Sequence, residues 1–588
     1  MLFYQIYALY RGDMNYKSIT YAIPSGCYLK PTRKKDAYYV YKYTRFYRNE
    51  NGVPRNESTI IGVTVGLDKL MFHPNDKFFA LTGTPIPAEI VNKHKNINNA
   101  KSNEKNSYEA NKSDTQAKKQ VRGSTVVFNK IFCEQGIQKC LRGAFDDESV
   151  NLINLASIMI ATENSSMMHI KDFYKTSPFV DDRSLASIDD FAMSKLFTHI
   201  AQTGADNFFK SWIKHNNDKD DTICYDVTSI STHAQKIQQA EFGYNRDGEG
   251  LPQINLGMFS GHKSLLPLMY VNYNGSLNDA TQLPYVITKA KETGISVDKL
   301  FTMDRGFFDK ARIDYLKQAG LDVLVGVSIN KYKAIAEYIY ALVKHDRHTV
   351  YTNLLSSTPG VYAFKEKHTV SNTPGFIHFY YDSLKYYDGL IALQESVKRE
   401  VELINVAKYA AVALSKSQIA KMSKFHNAKP DDSDPTGYTF SYDEDKFSKA
   451  KSLIGWFALF TCNEDIDSEQ ALKIYRMKDS VEKIFDALKH DLDCKRLKTH
   501  RSDTTNGKLF VIFIALILHT YASKALSALK NDEPNRFRKL TYKGLIDELD
   551  DITIEKKGDK FTLSKALTFT QKEILKALDV DLSQFELV

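Results

Sequence analysis

The sequence predicts a mixed α/β fold in which helices cover both faces of a central sheet. Three strand-like segments follow one another between about 220 and 275, and strands then alternate with helices as far as about 327. This order of strands and helices is typical of a mixed sheet that is covered on both faces. The longest apolar run, residues 509–518, is about half as long as a membrane span requires, so we expect a buried helix there and no membrane association.

The composition is that of a soluble globular chain with several domains. Of its 588 residues, 43% are hydrophobic and 26% are charged, which excludes a wholly disordered or collagen-like chain. Lys and Arg number 79 and Asp and Glu 71, and the resulting net charge of +8 permits a polyanionic partner without demonstrating one. The six cysteines form no C-x-x-C pair and the first residues lack a signal-peptide pattern, so we expect a cytoplasmic protein without a zinc cluster.

The first part of the chain is predicted to contain a β-rich region, 1–92, and a flexible basic linker, 93–122. Residues 37–65 are typical of a β-hairpin, because aromatic and β-branched residues precede the turn sequence NENG. Basic residues alternate there with tyrosines, an arrangement that can bind a phosphate backbone and stack on bases; the alternative is a solvated sheet face. The basic residues are Lys42, Arg45 and Arg48, and the tyrosines are Tyr39, Tyr41, Tyr43 and Tyr47.

The next region, 123–218, is predicted to be a compact helical domain. Its apolar residues have helical spacing, as in NLINLASIMIA and FAMSKLFTHIAQTG. A DNA-binding helix-turn-helix is one interpretation of this domain, although no turn signature places a recognition helix.

The remainder is predicted to be one sheet-based core with an interruption and a tail. Residues 219–334 form its first part, and a strong helix at about 468–490 followed by the apolar helix forms its second part, 466–530. Between them, 335–465 has a mixed pattern in which strands and loops predominate. The tail, 531–588, is expected to be a small α/β appendage.

Two acidic residues occupy strand positions where such residues are rare. Asp226 lies inside the apolar segment TICYDVTSIS, and Asp304 follows the strand LFTM. Ligands of open α/β sheets bind at the carboxyl ends of strands, so two carboxylates there would suit a hard cation such as Mg²⁺. Taken singly, each residue is more typical of a turn or a cap.

A third acidic residue lies on the helix predicted over 468–490. Tyr475, Lys478, Glu482 and Lys489 fall within an arc of about 60° on a continuous helix, beside the apolar stripe that would pack it. A surface helix with Glu–Lys pairs produces the same spacing, so the spacing alone does not identify a site.

Taken together and in order, these motifs resemble those of insertion-sequence transposases with an RNase H-like DDE catalytic domain. The chain is similar to the subgroup with the helix signature Y-x2-R-x3-E-x6-K, which here reads Tyr475-x2-Lys478-x3-Glu482-x6-Lys489. Lys in place of Arg at 478 keeps the charge but loses the bidentate fork. The other matching segments are YDVTS, GYNRDGEGLPQ, NGSLND, MDRGF and TFTQKEILKAL.

The resemblance implies a metal-dependent reaction on DNA. Asp226, Asp304 and Glu482 would be catalytic and would bind two Mg²⁺ (or Mn²⁺) ions, with Asp226 bridging them. Hydrolysis would free a 3′-OH at the element's end, and the same site would join it to target DNA. Because Asp304 and Glu482 are far apart in the chain, a largely β insertion domain, 335–465, is expected to interrupt the core. Without metal, the clustered carboxylates are expected to leave the site partly unformed.

The resemblance also implies which side chains contact DNA. Tyr475, Lys478 and Lys489 would bind phosphates beside Glu482, and Trp456 would either receive a flipped base or be an ordinary strand core residue. Basic residues after the helix would contact the DNA backbone or else form a solvated loop. These are Lys495, Arg496, Lys498, His500 and Arg501.

The expected partner is double-stranded DNA, both the element ends and the target. A homodimer would bind it in the synaptic complex, in the cytoplasm of a bacterium and in association with the nucleoid. Two other functions stay open: a decayed or co-opted copy that binds DNA without cutting, and an RNase H-like nuclease that hydrolyses without joining. The presence of all three acidic residues argues against the decayed copy.

Overall fold

The computed structural model contains two compact units, 1–116 and 117–588. The described residues are 20–31, 37–48, 54–64, 70–85, 119–180, 185, 188–345, 353–558, 560–583 and 585–587. The boundary between the units falls in the segment predicted to be a linker, most of which lies outside the described residues.

The first unit contains an antiparallel sheet with a small apolar core. Its elements are β1 (Tyr21–Ala22), β2 (Cys27–Pro31), β3 (Tyr38–Arg48), β4 (Pro54–Thr64), β5 (Met71–Pro74) and α1 (Asp76–Thr82). The strand order is β1-β5-β4-β3-β2. Pairing of β3 with β4 confirms the predicted hairpin, whereas its turn and the side chains of Arg45, Tyr47 and Arg48 lie outside the described residues. The DNA-contact interpretation of this hairpin therefore stays a prediction.

Residues 123–218 are helical, as predicted, but they are part of the second unit rather than a separate one. The elements are β6 (Lys119–Arg122), α2 (Gly123–Glu134), α3 (Ile137–Arg142), α4 (Asp147–Thr162), α5 (Ile170–Lys175), α6 (Asp190–Thr203) and α7 (Asp206–Asn216). Asp146 and Asp189 cap α4 and α6, each accepting a hydrogen bond from a backbone N–H of the first turn. The apolar faces share one core with the central sheet.

An eight-stranded mixed sheet lies at the centre of the second unit. Its strands are β7 (Thr222–Ser231), β8 (Gln253–Gly261), β9 (Pro267–Asn274), β10 (Leu300–Met303), β11 (Asp322–Val327), β12 (Val361–Val370), β13 (Thr373–Asp382) and β16 (Trp456–Thr461). They are ordered β12-β13-β16-β11-β10-β7-β8-β9. β7, β8 and β9 are antiparallel neighbours, whereas β10 is parallel to β7 and β11 is parallel to β10. The strand and helix order predicted between 220 and 327 is therefore confirmed.

Helices connect and cover these strands. α8 (Asp279–Glu292) joins β9 to β10, α9 (Lys310–Gln318) joins β10 to β11, and α10 (Lys333–His345) follows β11. Every residue of β7 except Asp226 is buried, and so is all of β8, which means that both faces of the sheet are covered here.

The sequence predicted that segment 335–465 is largely β, and this prediction is wrong. Its longest element is the helix α11 (Ser383–Ala410), followed by α12 (Lys416–Lys421), a hairpin of β14 (His426–Pro430) and β15 (Tyr438–Tyr442), and α13 (Glu444–Ser452). Three of its strands, β12, β13 and β16, extend the central sheet beyond β11. The helix escapes sequence analysis because its apolar residues lie on all sides, so no single apolar stripe marks it.

The last part of the chain packs into the same core. α16 (Ser502–Asp532) is followed by α17 (Pro534–Phe537), α18 (Tyr542–Asp550), β17 (Thr553–Lys557), β18 (Lys560–Leu563), α19 (Phe569–Ala577) and β19 (Glu586–Leu587). These are the helices and strands predicted for 531–588, but β17 pairs with β6, so they close a sheet with residues 119–122 instead of forming a separate appendage.

The apolar helix α16 is buried in the fold, as predicted. Within the described part of the chain it alone is long and apolar enough to cross a membrane, and residues 509–518 are all buried. Gly507 lets it approach α6 closely, because a Cβ at this position would lie 1.9 Å from the backbone oxygen of Phe197.

Candidate active site

Asp226 and Asp304 stand side by side at the edge where β10 ends. β10 is parallel to β7, and Met303 lies opposite Tyr225. Asp304, which follows Met303, therefore lies opposite Asp226, which follows Tyr225. Residues at one level of neighbouring parallel strands face the same side of the sheet. The structure thus brings together two carboxylates that the sequence placed near adjacent strand ends.

The third acidic residue, Glu482, lies on a helix that differs from the predicted one. The helix expected over 468–490 is broken into α14 (Ser468–Arg476), α15 (Asp479–Asp486) and a π-helical turn, Ala487–Asp491. Asp479 and Ser480, which follow the break, have side chains that compete with helical backbone hydrogen bonds. The arc calculated for a continuous helix is therefore wrong, and Lys478 lies at the junction between α14 and α15.

The side chain of Lys478 holds the three acidic residues around one positive charge. Its Nζ lies 3.1 Å from Glu482 Oε1, 3.6 Å from Asp226 Oδ2 and 3.9 Å from Asp304 Oδ1. The Lys478 side chain is only 6% exposed, whereas that of Glu482 is 59% exposed. Glu482 and Asp304 therefore face solvent, whereas Asp226 and the Lys478 ammonium group are largely buried.

Burial and charge act in opposite directions on these groups. Burial raises the pKa of the Asp226 carboxyl, and the Lys478 ammonium only partly offsets this. Burial alone would lower the pKa of Lys478, but the charges of Asp226, Asp304 and Glu482 outweigh it and raise the pKa. Lys478 is therefore held in its charged form.

Tyr475 completes the cluster from the end of α14. Its hydroxyl donates a hydrogen bond to Asp304 Oδ1 at 3.2 Å, and burial together with the Asp304 charge raises the pKa of this hydroxyl. The ring crosses β11 at Gly326, where a Cβ would lie 2.4 Å from the hydroxyl oxygen. Sequence analysis missed Gly326, because nothing local in LVGV indicates a distant ring above it.

A known domain family matches the part of the chain that contains this cluster. Residues 217–518, which include all three acidic residues, match the profile of the transposase DDE domain family, more than half of the chain. The chain belongs to this family. Among solved structures, the piggyBac transposase in a synaptic complex with hairpin DNA is similar, with 11% identity, a TM-score of 0.34, and coverage of 74% of this chain and 82% of that chain. Comparison with curated protein sequences finds no significant match.

Three of the predicted DNA-binding cations of this DDE domain are paired with acidic residues of the loop between β7 and β8. Lys489 Nζ donates to Asp247 Oδ1 at 2.7 Å, so the π-helical turn directs it to this loop and not to Glu482. Glu249 accepts from Lys495 at 3.2 Å and from Arg496 at 2.8 Å. Sequence analysis missed these two acidic residues, although RDGEG lies within a matching segment.

The two other predicted DNA contacts have different surroundings. Arg501 is largely exposed and forms an ion pair with Asp503 in the first turn of α16. Trp456 begins β16 and packs against Tyr381 and Phe364, with ring centroids 5.5 and 6.2 Å away. Because β16 is antiparallel to β11, this half-buried Trp lies at the sheet edge where β11 ends.

A basic cleft opens beside Asp304. It has a volume of about 500 Å³ and includes Gly306, two residues after Asp304, in its lining. Its cations are Lys310, Arg312 and Lys331, and its one acidic residue is Asp309. Arg312 donates to Ala280 O, and neither lysine forms an ion pair within the described residues. Sequence analysis did not single out these cations, because they come from α9 and from the turn after β11.

The donor set of the DDE domain fits a hard divalent cation. As they stand, no three carboxylate, imidazole or thiol groups among the described residues are close enough to hold one metal ion. Three carboxylates nevertheless surround a single positive charge. The side chains of two of them, Asp304 and Glu482, are exposed enough to rotate towards a bound cation. Oxygen ligands of this kind suit Mg²⁺ or Mn²⁺. Binding would require Lys478 to leave the centre of the cluster.

Proposed function

We propose that this protein is a DNA transposase that cleaves the ends of its element and joins them to target DNA. The observation that carries the proposal is the placement of Asp226, Asp304 and Glu482 around the Lys478 ammonium, each within 3.9 Å of it. Family membership supports phosphodiester cleavage and transesterification as the reaction.

The order of strands supports an RNase H-like core. Three antiparallel strands followed by two parallel ones, in the order β9-β8-β7-β10-β11, are what such a core requires. In this proposal 335–465 is the insertion, and its strands prolong the core sheet. The Tyr475, Lys478, Glu482 and Lys489 spacing supports the subgroup with the Y-x2-R-x3-E-x6-K signature.

In the proposed mechanism the three acidic residues would hold two Mg²⁺ or Mn²⁺ ions. When bound, these ions would supply charge stabilisation to the attacking and leaving oxygens of an in-line displacement. Tyr475 orients Asp304 through its hydrogen bond. Lys478, once displaced from between the carboxylates, would bind the phosphate that enters.

The proposed DNA path leads from the carboxylates into the basic cleft. Lys310 and Lys331 are exposed there, and a phosphate backbone is held mainly by such cations. Trp456 is proposed to receive a flipped base, which its position at the same edge of the sheet supports. Lys495, Arg496 and Arg501 are proposed to contact the backbone of flanking DNA.

The proposed assembly is a homodimer on paired element ends, in the cytoplasm of a bacterium and in association with its nucleoid. A nuclease that hydrolyses without joining, or a copy that only binds DNA, would use the same fold. The test is a supercoiled plasmid carrying the DNA that flanks this gene, incubated with the protein and Mg²⁺. Joining of cleaved ends to a second plasmid is expected; nicking alone indicates the nuclease, and binding without cleavage the co-opted copy.

The role of the third acidic residue is tested by Glu482→Gln, with Asp486→Asn as the matched control. Both carboxylates are exposed on α15, four residues apart, but only Glu482 contacts Lys478. Glu482→Gln is expected to lower cleavage by at least about a hundredfold while retaining end binding, because it removes a metal ligand. Asp486→Asn is expected to retain cleavage. Full cleavage by Glu482→Gln would exclude Glu482 as a catalytic residue.

A further inference from the structure

The helix α11 (Ser383–Ala410) carries an apolar stripe that the rest of the described structure leaves uncovered. Its opposite face is fixed: the buried Glu400 accepts hydrogen bonds from Phe425 N and His426 Nδ1, and Gly389 abuts Ile454. Eight exposed large apolar residues lie between 384 and 412, a concentration found in no other described segment. They are Leu384, Tyr387, Ile391, Val401, Leu403, Val406, Tyr409 and Val412.

The exposed stripe is ordered along the helix. At 100° per residue, its members lie within an arc of about 100° over a length of roughly 38 Å. They are Leu384, Tyr387, Asp388, Ile391, Glu395, Lys398, Glu402, Asn405, Val406 and Tyr409. The two ends are mainly apolar and the centre is charged. Large apolar stripes of this kind on a folded protein mark an interaction surface.

Most of the stripe is complementary to itself. If a second α11 crosses antiparallel about a two-fold axis between 396 and 397, Leu384 meets Tyr409, Tyr387 meets Val406 and Asp388 meets Asn405; Ile391, which meets Glu402, is the exception. The same axis places Glu395 of each helix opposite Lys398 of the other, so two ion pairs flank the axis. An isologous interface requires this kind of self-complementary surface. DNA is disfavoured as the occupant, because two Glu, one Asp and one Lys give the stripe a net negative charge.

We propose that α11 is a homodimer interface, in which two copies of this chain pair their α11 helices antiparallel. This names the contact surface of the proposed homodimer, but it rests on the surface of α11 alone and needs neither DNA nor catalysis. The occupant of the stripe is a second copy of the chain, and Glu395 and Lys398 determine the register of the pair.

The test is the oligomeric state of the full chain without DNA, measured by sedimentation velocity over a range of concentrations. The wild type is expected to dimerise. Glu395→Lys and Lys398→Glu are each expected to weaken the dimer by about 10- to 100-fold, because each creates two like-charge contacts. The double variant is expected to regain the dimer with its ion pairs reversed. An equimolar mixture of the two single variants is expected to form a heterodimer, since both contacts are then complementary.

Lys408→Glu is the control, because it changes the same charge on the same helix outside the stripe. Circular dichroism checks folding, and if a charge variant fails to fold, Tyr387→Ser with Val406→Ser probes the apolar ends instead. A wild type that stays monomeric throughout would overturn the proposal. A dimer equally stable in the wild type, both single variants and the double variant would also overturn it. This experiment does not measure DNA cleavage, so a protein that does not dimerise would leave the catalytic proposal intact. A protein that dimerises but does not cleave DNA would leave the dimer proposal intact.

Discussion

The hydroxyl of Tyr475 lies over Gly326, in space that any side chain on β11 would occupy. Gly326 stands level with Asp304, because Met303 pairs with Val325 in the parallel register of β10 and β11. The absence of a Cβ on β11 thus lets a ring from α14 pass across the strand and reach the second acidic residue.

Gly326→Ala is expected to displace Tyr475 from Asp304. The new Cβ would lie 2.4 Å from the hydroxyl oxygen and 3.0 Å from Cζ, so ring or strand must shift, at a cost of about 1–3 kcal/mol of stability. Cleavage is expected to fall about tenfold or more in the plasmid assay, because Asp304 loses the bond that orients it.

A double-mutant cycle with Tyr475→Phe separates this effect from general destabilisation. Tyr475→Phe removes the oxygen that clashes, so Gly326→Ala should cost less in that background. Gly143→Ala is the control, since its Cβ would have only ordinary contacts. Equal losses in both backgrounds would show that the two residues are not coupled.

Lys478→Met is expected to make the stability of the protein depend on divalent cations. Removing the ammonium leaves the buried Asp226 carboxylate beside two others, which should cost about 1–3 kcal/mol. Added Mg²⁺ should restore part of this, so the variant should show a larger rise in melting temperature with Mg²⁺ than the wild type. Lys483→Met, which removes an exposed charge from the same helix, is the control. An identical Mg²⁺ response in both variants would contradict the view that Lys478 occupies the place of a cation.

The placement of Asp226 and Asp304 on neighbouring strands could be predicted from the sequence because each carries a local signal. Asp226 interrupts an apolar run that is otherwise buried, and Asp304 ends another, so period and polarity alone mark them. The strands from β7 to β11 follow the same rules of alternation and crossover, which is why their order was predictable.

What sequence reasoning missed depends on contacts between distant residues. The ion pair of Lys489 with Asp247 joins residues 242 positions apart, and no local pattern distinguishes it from a free phosphate-binding lysine. The position of Lys478 among the carboxylates likewise depends on Asp226 and Asp304, which are distant from it in the sequence. α11 was missed because apolar residues lie on its exposed side as well as on its packed side, so no polar face marks it as a surface helix.

The deprotonation of Lys508 is expected to raise the free energy of unfolding as pH rises from about 8 to 10.5. Burial lowers the pKa of its ammonium to about 8, and its Nζ donates to Leu497 O at 2.9 Å. Because the folded pKa is below the unfolded one, protonated Lys508 destabilises the fold at neutral pH, on the order of 3 kcal/mol, and this penalty disappears as the group deprotonates. Lys508→Met removes the titrating group, so the difference in unfolding free energy between variant and wild type should change over that pH range. A difference that does not vary with pH would contradict the assignment.

Glu249 is expected to restrain two cations that would otherwise bind DNA. The hydrogen bond from Arg496, with that from Lys495, lowers the pKa of Glu249 to about 2, so the carboxylate stays charged at any assay pH. Its contribution to stability is present above about pH 4.5 and is lost as pH falls towards 2.

Glu249→Gln should leave Lys495 and Arg496 available to phosphates, because the neutral amide holds them less strongly. Binding to element-end DNA should tighten, and the slope of log affinity against log salt should steepen by about one to two. Asp503→Asn, which releases the exposed Arg501 instead, is the comparison: its slope should change by about one at most. Electrophoretic mobility shifts at several salt concentrations measure both slopes. Weaker binding by Glu249→Gln with an unchanged slope would mean that these ion pairs only hold the β7–β8 loop in place, and Lys495 and Arg496 would then not be DNA contacts.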